Sequence, residues 1–300
     1  MNQRHFTYYN KIKQVGNQLK KHDFWFVLTL VLLVSSCGID RNIKKGEKFL
    51  EIGEYFDAAA QFKTAYQKTP AKEREQRGKL AKKMAFCYDR INQSQRAIAA
   101  YRNVIRYKQD DKETHLKLAE NLMKVGAYPD AVKEYTIALD SMPDNDMAKE
   151  GLSAANIAPT IKEQGSYYEV RRMDKFNSRR QDYSPMFYGD QYNELYFTST
   201  RNDAQGDEIS GITGTKPGDI FVSEKDDKGK WGAPHTIESG LNSIADEGTP
   251  AFSPDGREMY ITQCLTDATY PRFAQIAVSS RADAAWGKPK PLEISRDTLS

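Results

Sequence analysis

Cysteine and histidine are scarce in these 300 residues: only Cys37, Cys87 and Cys264, and only His5, His22, His115 and His235. No Cys-x-x-Cys pair occurs, so a disulfide framework and a cysteine zinc site are excluded as organising principles. Two of the histidines precede the apolar N-terminal segment, leaving little for a His-based catalytic site. Charge of one sign is also lacking. The net charge is +3, divided as about +4 over residues 1–36, about +4 over 37–158 and about −5 over 159–300. No segment has the dense basic field that nucleic acid binding requires, and no nucleic-acid partner is expected. Neither a Gly-x-Ser-x-Gly elbow nor a His-Glu-x-x-His pair is present. The residues therefore predict no enzyme, no cofactor and no metal. No uncharged run reaches the roughly 20 residues that a membrane-crossing helix needs.

The longest such run ends at Ile39, and its first thirteen residues, Phe24 to Ser36, follow Lys20 and Lys21. That length suits the apolar part of an export signal, so residues 1–36 are read as a signal peptide. The sequence Val34-Ser35-Ser36-Cys37-Gly38 resembles the lipobox of bacterial lipoproteins, in which the cysteine is acylated and becomes the first mature residue. Several acyl chains on Cys37 would anchor stably where a single chain gives marginal affinity. The resemblance implies an outer-membrane location, and because Gly38 and Ile39 are not acidic, the periplasmic face.

Residues 37–158 carry an internal repeat. Gly53, Tyr55, Ala58, Phe62, Ala65 and Pro70 recur with identical spacing as Gly126, Tyr128, Ala131, Tyr135, Ala138 and Pro143. A degenerate copy, Asn92, Ser94, Ala97, Tyr101, Val104 and Gln109, lies between them. First-helix positions also align: Gly46 with Phe49, Ala85 with Tyr88, Ala119 with Leu122. This is similar to the tetratricopeptide pattern of 34 residues, in which small residues let paired helices approach, aromatics fill grooves and proline stops the second helix. The repeats are placed at about 40–73, 78–111 and 112–145, with a capping helix over 146–158. A groove lined by the first helices is the expected surface for partner proteins, with Lys44, Lys48, Lys82, Lys83, Lys117 and Lys124 as a candidate basic lining. Cys87 reads as a small buried hydrophobe.

From 159 to 300 short apolar runs, glycine and aspartate replace the helical periodicity, and two units align. Asn177-Ser178, Ser184-Pro185, Phe187 and Leu195-Tyr196-Phe197-Thr198 match Asn242-Ser243, Thr249-Pro250, Phe252 and Met259-Tyr260-Ile261-Thr262, offset by 64 or 65. Asp219 to Ser223 then matches Gln275 to Ser279, and Trp231-Gly232-Ala233-Pro234 matches Trp286-Gly287-Lys288-Pro289, offset by 55 or 56. Each unit is predicted to supply four short strands, one propeller blade. In the turn Ser253-Pro254-Asp255-Gly256, proline presets the first central φ and glycine takes the left-handed position. The run from Thr249 to Ile261 resembles the TolB-type, WD40-like (PD40) propeller motif. A closed propeller needs roughly four to eight blades, so an incomplete one is expected. Leu299-Ser300 aligns with Leu241-Asn242, as the onset of a third blade.

Other chemistry is weak. Asp203, Asp207 and Glu208 in the loop 201–218 lack the spacing of a calcium loop. Nothing in the sequence brings Cys264 and His235 together. The fold class is thus multidomain, an all-α tetratricopeptide solenoid followed by all-β propeller blades. The order of lipobox, repeats and propeller resembles a family of Bacteroidetes outer-membrane lipoproteins whose members continue into an OmpA-like peptidoglycan-binding domain. The resemblance implies a non-catalytic scaffold that binds envelope proteins in type IX secretion, is held to the membrane by Cys37 and reaches peptidoglycan through that further domain. The alternative is a prolyl oligopeptidase-type serine peptidase whose propeller gates a catalytic domain beyond residue 300.

Overall fold

A computed structural model describes residues 38–237, 240–264, 274–282 and 285–293. The signal segment 1–36, Cys37 and the expected third-blade onset at Leu299-Ser300 lie outside the described residues. The chain falls into two compact units that divide between Pro159 and Thr160, with Ile52–Phe56 grouped with the second. Among the described residues no helix is long and apolar enough to cross a membrane.

The first unit is built of helices that resemble a tetratricopeptide solenoid. α1 covers residues 38–51; α2 is Tyr55–Lys68, α3 Arg74–Arg90, α4 Ser94–Arg106, α5 Lys112–Lys124, α6 Tyr128–Ser141 and α7 Asp146–Gln164. Each second helix buries one stripe: Ala58, Phe62 and Ala65 in α2, Ala97, Tyr101 and Val104 in α4, Ala131, Tyr135 and Ala138 in α6. These residues stand three or four apart, so they share one helical face. The small residues permit close approach. A Cβ on Gly46 would lie 2.7 Å from the Phe62 ring, and one on Gly151 would lie 2.3 Å from the Tyr135 ring.

The turn inside each hairpin has a backbone requirement. Gly53 has φ +77° and Gly126 φ +75°. In the degenerate copy Asn92 takes the same left-handed conformation at φ 55°, which asparagine tolerates better than most residues. Tyr55 and Tyr128 open the second helices half-buried, and the exposed Pro70 and Pro143 each follow two residues after a helix has ended.

Two expectations need correction. The period of 34 holds from Asn92 to Gly126, but 39 residues separate Gly53 from Asn92. The extra residues are absorbed at the start of α3, which has 17 residues where α5 has 13, one added turn at about 3.6 residues per turn. The predicted cap over 146–158 is the longer α7, which runs through Pro159 to Gln164. Proline there removes one backbone donor. Three turns upstream of it are already seated through Ala148, Gly151 and Ala155.

Among the described residues the second unit contains two antiparallel sheets. In the first, β1 (Asp182–Tyr188), β2 (Glu194–Ser199), β3 (Asp219–Glu224) and β4 (His235–Thr236) follow in chain order. In the second, β5 (Asp246–Phe252), β6 (Glu258–Cys264) and β7 (Ala274–Ala282) follow in order, with both β8 (Ala285–Trp286) and β9 (Lys290–Pro291) paired to β7. The fourth-strand position belongs to β9. Phe221 pairs with Thr236 and Val222 with His235, as Ala277 pairs with Pro291 and Val278 with Lys290. β8 corresponds to the single bridge between Lys225 and Trp231.

The core between the sheets contains Tyr196, Ile220, Val222, Leu241, Met259, Ile261, Ala277 and Trp286, with Tyr188 and Phe252 packed against it. A second cluster, Phe176, Leu195, Phe197, Ala204 and Phe221, covers the opposite face of the first sheet and meets Trp231.

Candidate interaction surfaces

The expected basic lining of the first helices is largely neutralised. Lys83 reaches Glu47 at 3.0 Å, Lys117 reaches Glu120 at 2.9 Å, Lys124 reaches Asp89 at 3.0 Å, and Lys82 contacts Asp111. Only Lys44 and Lys48, both exposed on α1, have no such pairing among the described residues. The surface is thus a mixed ladder of charge running between neighbouring first helices. Such exposed pairs each contribute about 0–1 kcal/mol.

Asn121, which the sequence did not single out, is fully buried on α5. Its Nδ2 donates to Asp89 Oδ1 at 2.8 Å and to the Lys117 carbonyl at 2.9 Å. This joins α5 to α3 beside the Lys124 pair, and Asn121 Oδ1 has no partner among the described residues. His115 Nδ1 lies 2.7 Å from Glu134 and links α5 to α6. Asp111 caps α5 by accepting from the Thr114 N–H. Lys82 and Thr114 outweigh its burial and hold its carboxyl below the usual range.

In the second unit the repeat extends to individual bonds. Asp182 Oδ2 accepts from the Ser178 N–H, and Glu247 Oε2 from the Ser243 N–H. Tyr196 donates to Glu194 and Tyr260 to Glu258. Ser223 and Ser279 donate to the carbonyls of Gly232 and Gly287. Register shifts fall at equivalent places, between Tyr183 and Met186 and between Gly248 and Ala251. The residues before the two prolines, Ser184 and Thr249, both have positive φ, 51° and 50°. Even the cation above the tryptophan recurs, as Lys225 over Trp231 and Arg281 over Trp286.

The sheets are tied by Asn242, a buried residue whose Oδ1 accepts from Ile220 N–H at 2.9 Å while Nδ2 donates to the Ile220 carbonyl at 3.0 Å. Its counterpart Asn177 is exposed. Tyr188 also donates to the Gly256 carbonyl at 2.9 Å, in the Ser253-Pro254-Asp255-Gly256 turn, where Gly256 has φ +68°. Pro185 and Pro250 sit in β1 and β5 beside the register shifts, with Phe187 exposed and Phe252 half-buried. The outer face of the second sheet is less covered than that of the first. On the second, Tyr260, Ile276 and Val278 occupy the positions at which Tyr196, Ile220 and Val222 are buried in the first, and Ile276 is 43% exposed. Beside the first runs an apolar groove of about 550 Å³, lined by Val170, Met173, Phe176, Tyr183, Leu195 and Phe197.

Among the described residues the candidate reactive groups do not come together. Burial pushes the Cys87 thiol up to about 12. It also raises the Cys264 thiol, with Asp246 and Glu247 adding to the effect, so neither is a ready thiolate. His235 and Cys264 lie in separate sheets. Asp203, Asp207 and Glu208 are exposed, and Asp207 lies 3.6 Å from Lys216, whose Nζ donates to the carbonyls of Asn202 and Ala204. Among the described residues no group of three or more His, Cys, Asp or Glu is placed to hold a metal ion.

No protein-family model and no curated protein matches the chain. Solved structures similar to it include the first tetratricopeptide domain of Spaghetti (RPAP3) with an HSP90 peptide, at 17% identity and TM-score 0.36 over 42% of this chain and 96% of that one. The C-terminal tetratricopeptide-containing domain of a Plasmodium falciparum FK506-binding protein is similar at 15% identity and TM-score 0.38, over 44% and 94%. The Sgt2 tetratricopeptide domain from Aspergillus fumigatus is similar at 16% identity and TM-score 0.35, over 45% and 88%.

Proposed function

We propose that this chain is a non-catalytic scaffold for protein–protein interaction in a bacterial envelope. In this reading it is anchored through acylated Cys37 to the periplasmic face of the outer membrane. The observation that supports it best is repetition. Helical hairpins reuse one packing stripe, and two sheets reuse the same hydrogen bonds, so the chain presents serial surfaces of the kind that repeat proteins use to bind partners. The sheets are read as the opening blades of a TolB-type propeller, because Tyr260, Ile276 and Val278 repeat the residues that the first sheet buries against the second. Association with type IX secretion, as for PorE, and attachment to peptidoglycan through a further domain rest on the resemblance of the module order alone.

Affinity capture of the intact lipidated protein from envelope membranes, with mass spectrometry of what co-purifies, tests the reading. Recovery of outer-membrane secretion components and peptidoglycan-bound proteins is expected; recovery of no stable partner refutes the scaffold. Cys37→Ala is expected to move the protein out of the membrane fraction, and unchanged retention would refute the lipid anchor.

A further inference from the structure

The five residues by which the first repeat spacing exceeds the second place two arginines, Arg74 and Arg77, at the start of α3. Both face Tyr107, just beyond the end of α4. The Arg77 guanidinium lies 4.2 Å from the Tyr66 ring centroid and 5.9 Å from that of Tyr107, with Arg74 at 5.5 Å and Arg106 at 4.9 Å from the Tyr107 ring. Arg77 Nε and Arg106 Nη2 both donate to the Tyr107 hydroxyl, at 3.0 and 3.2 Å, and the Tyr66 hydroxyl is 3.2 Å from it.

One guanidinium stacked on a tyrosine is ordinary packing. Three converging on one ring repel one another, and among the described residues none of the three has a carboxylate within 4.0 Å. Three further features favour a negative charge at this point. Glu73, the N-cap of α3, makes no side-chain cap bond, and Glu75 in the first turn is paired with Lys79, so the first N–H groups of a 17-residue helix lack a side-chain cap. The Tyr107 phenol is held below its ordinary range by its hydrogen bond with Tyr66 and by Arg77 and Arg106, against the opposing effect of burial. The cluster is also particular to this junction, since the positions equivalent to Tyr107 are Lys68 in the first copy and Ser141 in the third.

We propose that the junction of the first and second repeats binds a tetrahedral oxyanion of the phosphate type, held by Arg74, Arg77 and Arg106 with the Tyr66 and Tyr107 hydroxyls as orienting partners. Guanidinium groups suit this ligand because their paired N–H donors match two oxygens of one phosphate. Arg77 uses Nη1 on the Thr69 carbonyl and Arg74 uses Nη2 on the Arg106 carbonyl, and each guanidinium has further N–H groups to donate.

The test is calorimetric titration of the full chain with inorganic phosphate, with ionic strength held constant by chloride. Saturable binding is expected, weakened at least tenfold in the Arg74→Gln/Arg106→Gln double variant. Both residues are exposed, so the variant should keep its melting temperature, and Arg77→Lys, which retains the charge but loses the fork, should bind more weakly than the parent. A heat no larger than that of the chloride control, or an unchanged Kd in the double variant, would overturn the proposal. Sedimentation with phosphatidic acid vesicles in excess of phosphatidylcholine vesicles, reversed by free phosphate, identifies a lipid headgroup as the source. Saturable phosphate binding without that excess identifies a soluble phosphate.

Discussion

Asp219 offers the sharpest test of the reasoning applied to the sheets. It is fully buried at the start of β3. Its Oδ2 accepts from the Gln205 N–H at 2.8 Å, and its Oδ1 has no partner among the described residues. Burial, with the Glu247 and Asp246 carboxylates adding to it, pushes the pKa from 3.8 up to about 6, although the Gln205 N–H and Lys216 pull the other way. A folded-state value above the unfolded one means that the native protein holds this proton more tightly. Below about pH 4 both states are protonated and no penalty exists. Between about pH 4 and 6 the unfolded chain releases the proton first, so stability falls as pH rises, and above pH 6 the full penalty is present. A gap of about 2 pH units corresponds to about 3 kcal/mol.

Asp219→Asn removes that penalty. The amide oxygen can still accept from Gln205, while its new N–H₂ group occupies the position of the unpartnered oxygen and costs about 1 kcal/mol if it finds no acceptor. The net expectation is stabilisation by about 2 kcal/mol at pH 7.5, or roughly 5–8 °C in melting temperature for a unit of this size, with little or no gain at pH 4. Thermal unfolding followed by near-ultraviolet circular dichroism at the two pH values measures the difference. An equal displacement at both pH values, or destabilisation at pH 7.5, would show that Asp219 is ionised in the fold without penalty.

Two further substitutions probe the repeats. Ala131→Arg forces a charged side chain into a fully buried position of the α5–α6 hairpin and should cost several kcal/mol; an unchanged melting temperature would place the register of the third repeat elsewhere. Asn242→Ala leaves the Ile220 N–H and carbonyl without the side chain that brackets them. It should cost about 2–4 kcal/mol and loosen the environment of Trp286, and an unaltered tryptophan signal in the same melt would count against the clamp.

The helical hairpins were legible in the sequence because their packing is local. Ala131, Tyr135 and Ala138 meet partners a few turns away in the chain, so spacing alone identifies the buried stripe, and even the left-handed turn at Asn92 follows from its alignment with two glycines. The two sheet units were legible for a similar reason, since each strand motif recurs at a near-constant offset and pairs within its own unit. Tertiary structure decided what depends on residues far apart. The lysines of the first helices look like a basic lining until the carboxylates that pair with them arrive from a neighbouring repeat, as Glu47 does for Lys83 and Asp89 for Lys124, 36 and 35 positions away. The raised pKa of Asp219 comes first from its burial under the folded sheets, with the Glu247 carboxylate of β5 adding to it, and the arginine cluster needs an added turn of α3 to meet the end of α4. Periodicity in a sequence records which face of an element is apolar. The charge a side chain meets is set by the element folded against it, and that depends on the register between elements rather than on the pattern within one.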